Sequence, residues 1–128
     1  MRVLLDTHTF LWWLADSQRL SETAQRLIAD ESNEVLVSAA SAWEIATKFR
    51  IGKLPSGEVV ALDVAGHIAA QGFEGLPISV SDAERAGRLP GPHRDPFDRM
   101  MIAQALARGL GVISIDAAFD RYGVTRLW

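Results

Sequence analysis

Four acidic residues, Asp6, Glu44, Asp98 and Asp116, each stand where an apolar, strand-like run gives way to a helical pattern, or on the first turn of the helix itself. In an open α/β sheet that edge is where ligands bind, so this placement aims four carboxylates at one crevice. Held together they repel, by roughly 4 kcal/mol per close pair at an effective dielectric near 20, unless a divalent cation neutralises them. Metal-dependent hydrolysis is the chemistry such a pattern suggests first. The chain has no cysteine, so a metal must be held by oxygen or imidazole, and carboxylates without a histidine cluster suit Mg²⁺ or Mn²⁺ better than zinc. His8, His67 and His93 lack the i, i+4 spacing of a helical zinc site. His67 reads as structural, and His93, beside Arg94 and Asp95, as a neighbour of the site.

Each acid also has a structural reading. Asp6 can cap the helix after the first strand and Asp116 the short turn before Phe119, and Ser41-Ala42-Trp43-Glu44 fits the spacing of a capping box. In Asp95-Pro96-Phe97-Asp98, Asp95 is the expected N-cap, Pro96 the first helical residue and Asp98 an acid at the positive helix end. Capping and metal binding are compatible, because the partial positive charge of helix N-termini lowers the cost of crowding anions.

The elements that position these residues follow from periodicity. Arg2 to Leu5 reads as a buried strand, followed by Phe10, Leu11 and Leu14 at helical spacing. Ser21 should cap a second helix bearing Ala24, Leu27 and Ile28 inward. Glu34 to Val37 reads as a strand and Ala39 to Arg50 as a helix; a break over Gly52 to Gly57 precedes a helix through Ala70, closed by Gly72. Leu76 to Ile78 reads as extended, Asp82 to Gly87 as a short helix and Leu89-Pro90-Gly91-Pro92 as a loop. Pro96 to Arg108 reads as a helix ending at Gly109, Gly111 to Ile115 as a β-branched strand and Val124 to Leu127 as a last edge strand. The alternation predicts a three-layer α/β/α fold with a mainly parallel central sheet of about five strands and right-handed crossovers.

The 128 residues fit one domain spanning 1–128, and no repeat or linker divides them. Thirteen basic against sixteen acidic side chains, a net charge of −3, argue against a basic coat over the whole surface but leave local clusters open to RNA. Without a signal-like apolar segment or a run of about 18 apolar residues, the chain is expected to be cytoplasmic and free of the membrane.

Four segments carry a family resemblance: Leu4-Leu5-Asp6-Thr7, Ser41-Ala42-Trp43-Glu44-Ile45, the run from His93 through Asp95-Pro96-Phe97-Asp98 to Ala105, and Ser114-Ile115-Asp116. Their order and content resemble PIN-domain ribonucleases, and the VapC-type toxins of bacterial toxin–antitoxin pairs in particular. The resemblance covers nearly the whole chain, and its third segment is the most specific. It implies that Asp6, Glu44 and Asp98 are the main acids of the site and Asp116 a more variable fourth, with Thr7 and Ser114 as supporting hydroxyls. Asp95 adds an acid to the simplest pattern, and Asp98 is favoured as the residue nearer the ion. The implied activity is Mg²⁺- or Mn²⁺-dependent endoribonuclease cleavage, and the implied partners are a second copy of the chain and a cognate VapB-type antitoxin whose C-terminal segment covers the site.

An acidic site must still attract an anionic backbone. Lys48, Arg50 and Lys53 after the Glu44 segment, with Arg94 and Arg99 around the third, are the candidate phosphate contacts. Lys48 also stands at i, i+4 from Glu44 and can simply pair with it. No aromatic ladder spaced for base stacking is visible. Trp12, Trp13 and Trp43 are expected mainly in the core, although three tryptophans near the first and third helices also suit a groove for a partner helix. Two rival functions are a Mg²⁺-dependent phosphatase with Asp6 as nucleophile, weakened by His8 where a second acid is needed, and a catalytically silent PIN-like binding module whose acids only cap helices.

Overall fold

The computed structural model describes residues 1–54 and 58–128. Five strands, β1 (Arg2–Leu5), β2 (Glu34–Ser38), β3 (Glu74–Leu76), β4 (Gly111–Ile113) and β5 (Arg126–Leu127), form one sheet in the order β3-β2-β1-β4-β5. Every pairing is parallel, with Leu5 opposite both Val37 and Ile113. Around it lie α1 (Thr7–Leu14), α2 (Glu22–Ala29), α3 (Ala39–Arg50), α4 (Glu58–Leu62), α5 (Val64–Ala70), α6 (Val80–Arg88), α7 (Pro96–Arg108) and a 3₁₀ helix over Ala117–Tyr122.

The side chains of β1 explain the layers. Val3, Leu4 and Leu5 are wholly buried, as strands covered on both faces must be. Val3 and Leu5 join Phe10, Ile28, Val35, Val37 and Ile45 in one apolar cluster. Leu4, pointing the other way, joins Leu36, Met101, Ile102, Val112 and Phe119 in a second. The three-layer expectation therefore holds, and the sheet is parallel throughout. None of the described helices is long and apolar enough to cross a membrane.

The expected caps at Asp6, Ser21, Asp95 and Asp116 are all present, each side chain accepting from a first-turn N–H. Ser41 is a correction. The cap of α3 is Ser38, whose Oγ accepts from the Ala40 N–H at 3.0 Å, so Ser41 and Glu44 lie inside the helix and form no capping box. Residues 55–57 of the expected Gly52 to Gly57 break lie outside the described residues. The helix expected through Ala70 is two helices, because Asp63 leaves helical geometry and its Oδ1 accepts from the Gly66 N–H at 2.9 Å. The helix expected from Asp82 starts at Val80, where Ser79 and Asp82 make a reciprocal capping box. The last two strands stop short of their expected limits: beyond Ile113, Ser114 turns its hydroxyl into the site, and only Arg126 and Leu127 pair at the edge.

One polar network crosses the second layer. Ser38 Oγ donates to Gln104 Oε1 at 2.6 Å, and Gln104 Nε2 donates to Pro77 O at 3.1 Å and to Asp82 Oδ2 at 3.3 Å. Arg108 closes it with a two-pronged contact to Asp82, Nη1 to Oδ1 and Nη2 to Oδ2, both at 3.0 Å. Asp82 is 1% exposed. Burial alone would raise its pKa, but the Arg108 fork, the Ser79 N–H and Gln104 outweigh it and hold the group down at about 2. The folded value lies below the unfolded one near 3.8, so this stabilisation is complete above about pH 4 and is lost as pH falls toward 2. Asp82→Ala is expected to cost about 3 kcal/mol at pH 7 by urea unfolding. It should also flatten the wild-type loss of stability between pH 4 and 2; an unchanged acid limb would show that the Arg108 contact contributes nothing.

Candidate functional site

The strand order changes direction between β1 and β4, and in open parallel sheets the crevice above such a point receives ligands. Asp6 follows β1 and Ser114 follows β4, and the two chains are stitched together there. The Asp6 N–H donates to Ile113 O at 3.3 Å and Thr9 Oγ1 donates to the same carbonyl at 2.9 Å. Ser114 Oγ donates to Asp6 Oδ2, while Asp6 Oδ1 accepts from the Thr9 N–H at 2.8 Å as the cap of α1. Asp6 is 6% exposed. Burial pushes its pKa up, against the hydrogen bonds from Ser114 and Thr9 that pull it down.

Helix α3 brings in the second acid from below. Thr7 Oγ1 lies 2.6 Å from Glu44 Oε1 and 2.9 Å from Ser41 Oγ, which is why Ser41 faces inward rather than capping. Glu44 is buried, and its other oxygen accepts from the Lys48 ammonium one turn along. The pairing expected from the i, i+4 spacing is therefore formed.

The third acid comes from the N-terminus of α7. Asp98 Oδ2 meets His93 Nε2 at 2.8 Å. Burial, with the His93 contact opposing it and the charges of Asp95 and Glu44 adding to it, raises Asp98 to about 6. His93 is held by its own loop. Its N–H donates to Tyr122 Oη at 3.0 Å. The Arg99 guanidinium donates to His93 O at 2.9 Å, to Gly91 O at 3.4 Å and to Leu89 O. Gly91 has φ +106°, and a Cβ there would come within 2.6 Å of the Tyr122 hydroxyl, so the loop closes against Tyr122 only with glycine at this point.

Asp6, Glu44, Asp98 and Asp116 all line one cleft of about 570 Å³, and Asp95 and Thr7 line it with them. Asp116 is exposed at the rim, its Oδ1 accepting from the Ala118 N–H at 2.9 Å while its own N–H donates to Ser114 Oγ. An all-oxygen set of carboxylates and hydroxyls fits a hard divalent cation. Among the described residues, however, no three acids or histidines are gathered as a ready metal cluster. Asp6, Glu44 and Asp98 each have a hydrogen-bonding or ionic partner of their own.

Of the basic candidates, Lys48 lines the cleft. Arg99 is committed to loop carbonyls, Arg94 lines a separate depression with Arg121 and Tyr122, and Arg50 and Lys53 are exposed away from the cleft. Four cleft residues were not placed at the site from the sequence: His8, Trp12, Arg19 and Ile115. The i, i+4 spacing of His8 and Trp12 on α1 was the available signal for two of them. Trp43 corrects the expectation of a core residue, being 56% exposed with its ring edge-on to Phe97 at 4.8 Å.

A family model of the PIN domain matches residues 3–124. The chain belongs to the PIN-domain family. Within that family it is homologous to VapC-type toxins of type II toxin–antitoxin systems. Ribonuclease VapC22 of Mycobacterium tuberculosis is 32% identical over 118 residues, covering 89% of this PIN domain and 86% of the relative. Ribonuclease VapC16 of the same organism is 44% identical over 62 residues, 48% of this chain and 43% of that one. Among solved structures, the fold resembles VapC20 of M. tuberculosis, described as a sarcin–ricin-loop-cleaving toxin, at TM-score 0.72 and 17% identity over 96% of both chains. It also resembles a toxin–antitoxin complex from Klebsiella pneumoniae, at TM-score 0.60 and 16% identity over 90% of this PIN domain and 87% of that chain.

Two outcomes follow from the geometry. Since the folded pKa of Asp98 lies above the unfolded value, the folded state binds that proton more tightly. Its stabilisation is complete below about pH 4 and is lost as pH rises through about 6. In metal-free buffer Asp98→Asn should therefore flatten the fall in stability between pH 4 and 6 and raise stability at pH 7 by about 1–2 kcal/mol, a two-unit shift offset by the weakened His93 contact. Coincident wild-type and variant pH profiles would contradict it. Arg99→Lys keeps the charge but loses the planar fork, and is expected to cost about 1–2 kcal/mol in urea unfolding; a variant as stable as wild type would show that the loop holds without it.

Proposed function

We propose that this PIN domain is a Mg²⁺- or Mn²⁺-dependent endoribonuclease, the toxin of a toxin–antitoxin pair restrained by a VapB-type antitoxin, and that it works as a homodimer. The observation that carries the reading is the convergence of Asp6, Glu44, Asp98 and Asp116 on one cleft at the β1–β4 switch point. Homology to ribonucleases of the VapC type, and likeness in fold to a chain of a toxin–antitoxin complex, support it.

Asp6 and Asp98 would hold the cation, with Glu44 as a further ligand or a water-orienting group and Asp116 at the rim for a second ion or a water-mediated contact. When bound, such a cation supplies an attacking water and offsets charge on the leaving oxygen of the phosphodiester. The rest is done by the chain. Ser114 and the Thr9 N–H fix the two oxygens of Asp6, His93 fixes one oxygen of Asp98, and Thr7 fixes one oxygen of Glu44. Such outer contacts set the direction in which ligands point. Lys48 offsets the charge of Glu44 through one carboxylate oxygen. A basic antitoxin side chain inhibits by occupying the same carboxylates, and exposed Trp43 offers an apolar anchor beside them.

A second reading, the silent binding module, draws on the individual pairing of the acids and on the absence of a gathered metal cluster among the described residues. Asp6→Asn decides between them. It is expected to fold, with a metal-free melting temperature equal to or above wild type, and to abolish Mn²⁺-dependent RNA cleavage. In wild type, millimolar Mn²⁺ should raise the melting temperature and EDTA should reverse the rise. A metal-insensitive melt without RNase activity would leave the binding module ahead.

A further inference from the structure

The cleft presents an anionic polymer with a wall of acids and only two lysine or arginine side chains among the described residues, one of them already engaged. Lys48 is paired with Glu44, and the other arginines in ion pairs among the described residues lie outside the cleft. Arg19 lines the cleft, is exposed, and makes no ion pair among the described residues. Its guanidinium carbon lies 5.8 Å from the ring centroid of Trp12. The turn between α1 and α2 places it there: Asp16 adopts φ +50°, the Ser17 N–H donates to Trp12 O at 2.9 Å, and Ser17 Oγ accepts from the Arg19 N–H at 3.1 Å. Trp12 in turn is braced by Trp128, with centroids 6.1 Å apart, and by His8 at 5.8 Å.

We infer that Arg19 laid over Trp12, with His8 beside it, is a nucleotide subsite for single-stranded RNA next to the acid cluster, Arg19 taking a phosphate and the aromatic surface a base. This rests on the nuclease reading above and adds to it the part of the site that holds substrate. Stacking on an indole or a guanidinium is the common way proteins hold unpaired bases. An arginine already ordered on an aromatic face gives up less freedom when its fork meets a phosphate. Trp12 lies six residues after Asp6 along α1, roughly 9 Å along the helix axis, so the subsite takes a nucleotide neighbouring the one attacked.

The test is anisotropy titration of fluorescein-labelled octauridylate, and of an abasic octamer with the same backbone, in Ca²⁺ at several salt concentrations. Cleavage in Mn²⁺ is assayed on the same proteins. Arg19→Gln is expected to weaken octauridylate binding about tenfold and to lower the salt slope by about 0.7. Arg19→Lys should recover the slope but only part of the affinity. Trp12→Leu should weaken octauridylate about tenfold and leave the abasic octamer unchanged, whereas Trp12→Phe should retain most of the affinity. Should Trp12→Leu fail to fold, exposed Arg19 still decides the matter. Wild-type affinity and salt slope in Arg19→Gln would overturn the subsite, as would no octauridylate binding by wild type. An acidic peptide that binds wild type but not Arg19→Gln, with octauridylate affinity unchanged, would overturn it in favour of a protein partner. If the variants differ in RNA binding as described but wild type cleaves nothing in Mn²⁺, the subsite stands and the nuclease reading fails.

Discussion

A carboxylate cannot be taken out of water without something to receive its lone pairs, and the rest of the structure is arranged around meeting that requirement for Asp6. Its cap geometry starts α1, its backbone N–H is paired with β4, and the hydroxyl after β4 turns inward to reach it. These contacts fix how far β1 and β4 extend and where the crevice opens. Thr7, the next residue, is then directed at α3, which sets the roll of that helix and decides which of its serines looks inward. The seating of Asp6 therefore links the start of one helix, the end of one strand and, through Thr7, the seating of another helix.

Two of the arginines are held within the fold. Arg108 is spent on Asp82 and Arg99 on a loop, both through the planar fork rather than through charge as such. The acid cluster therefore tolerates its own repulsion through local partners: Lys48 for Glu44, His93 for Asp98, and hydroxyl and amide donors for Asp6.

Much of the fold was legible in the sequence, and the parts that were not share a cause. The two central strands read clearly because both of their faces are apolar, and α7 read clearly because Asp95, Pro96 and Gly109 mark its ends. The edge strands of three and two residues were misplaced, since their limits depend on pairing with β2 and β4 and hardly at all on local pattern. Ser38 and Ser41 are equally able caps by type, and the choice was made by a threonine hydroxyl 34 residues away. Asp6 and Asp116 were easy to place together because each caps a helix just beyond a strand, whereas Glu44 reaches the same cleft from inside α3 and Asp98 from the first turn of α7. That Arg19 lines the cleft and that Arg99 donates to loop carbonyls were not legible, because what a guanidinium meets depends on how the loops around it fold. Trp43 was expected inside for its type, but its position on α3 turns it outward beside Phe97.

The contact between Ser114 and Asp6 joins residues 108 positions apart. During synthesis β1 emerges well before the strand and hydroxyl that complete it. Until then the ribosome carries a chain in which the first acid lacks its buried environment, and pairings this distant in sequence form late. A truncated translation product ending before residue 114 is thus without an assembled cleft.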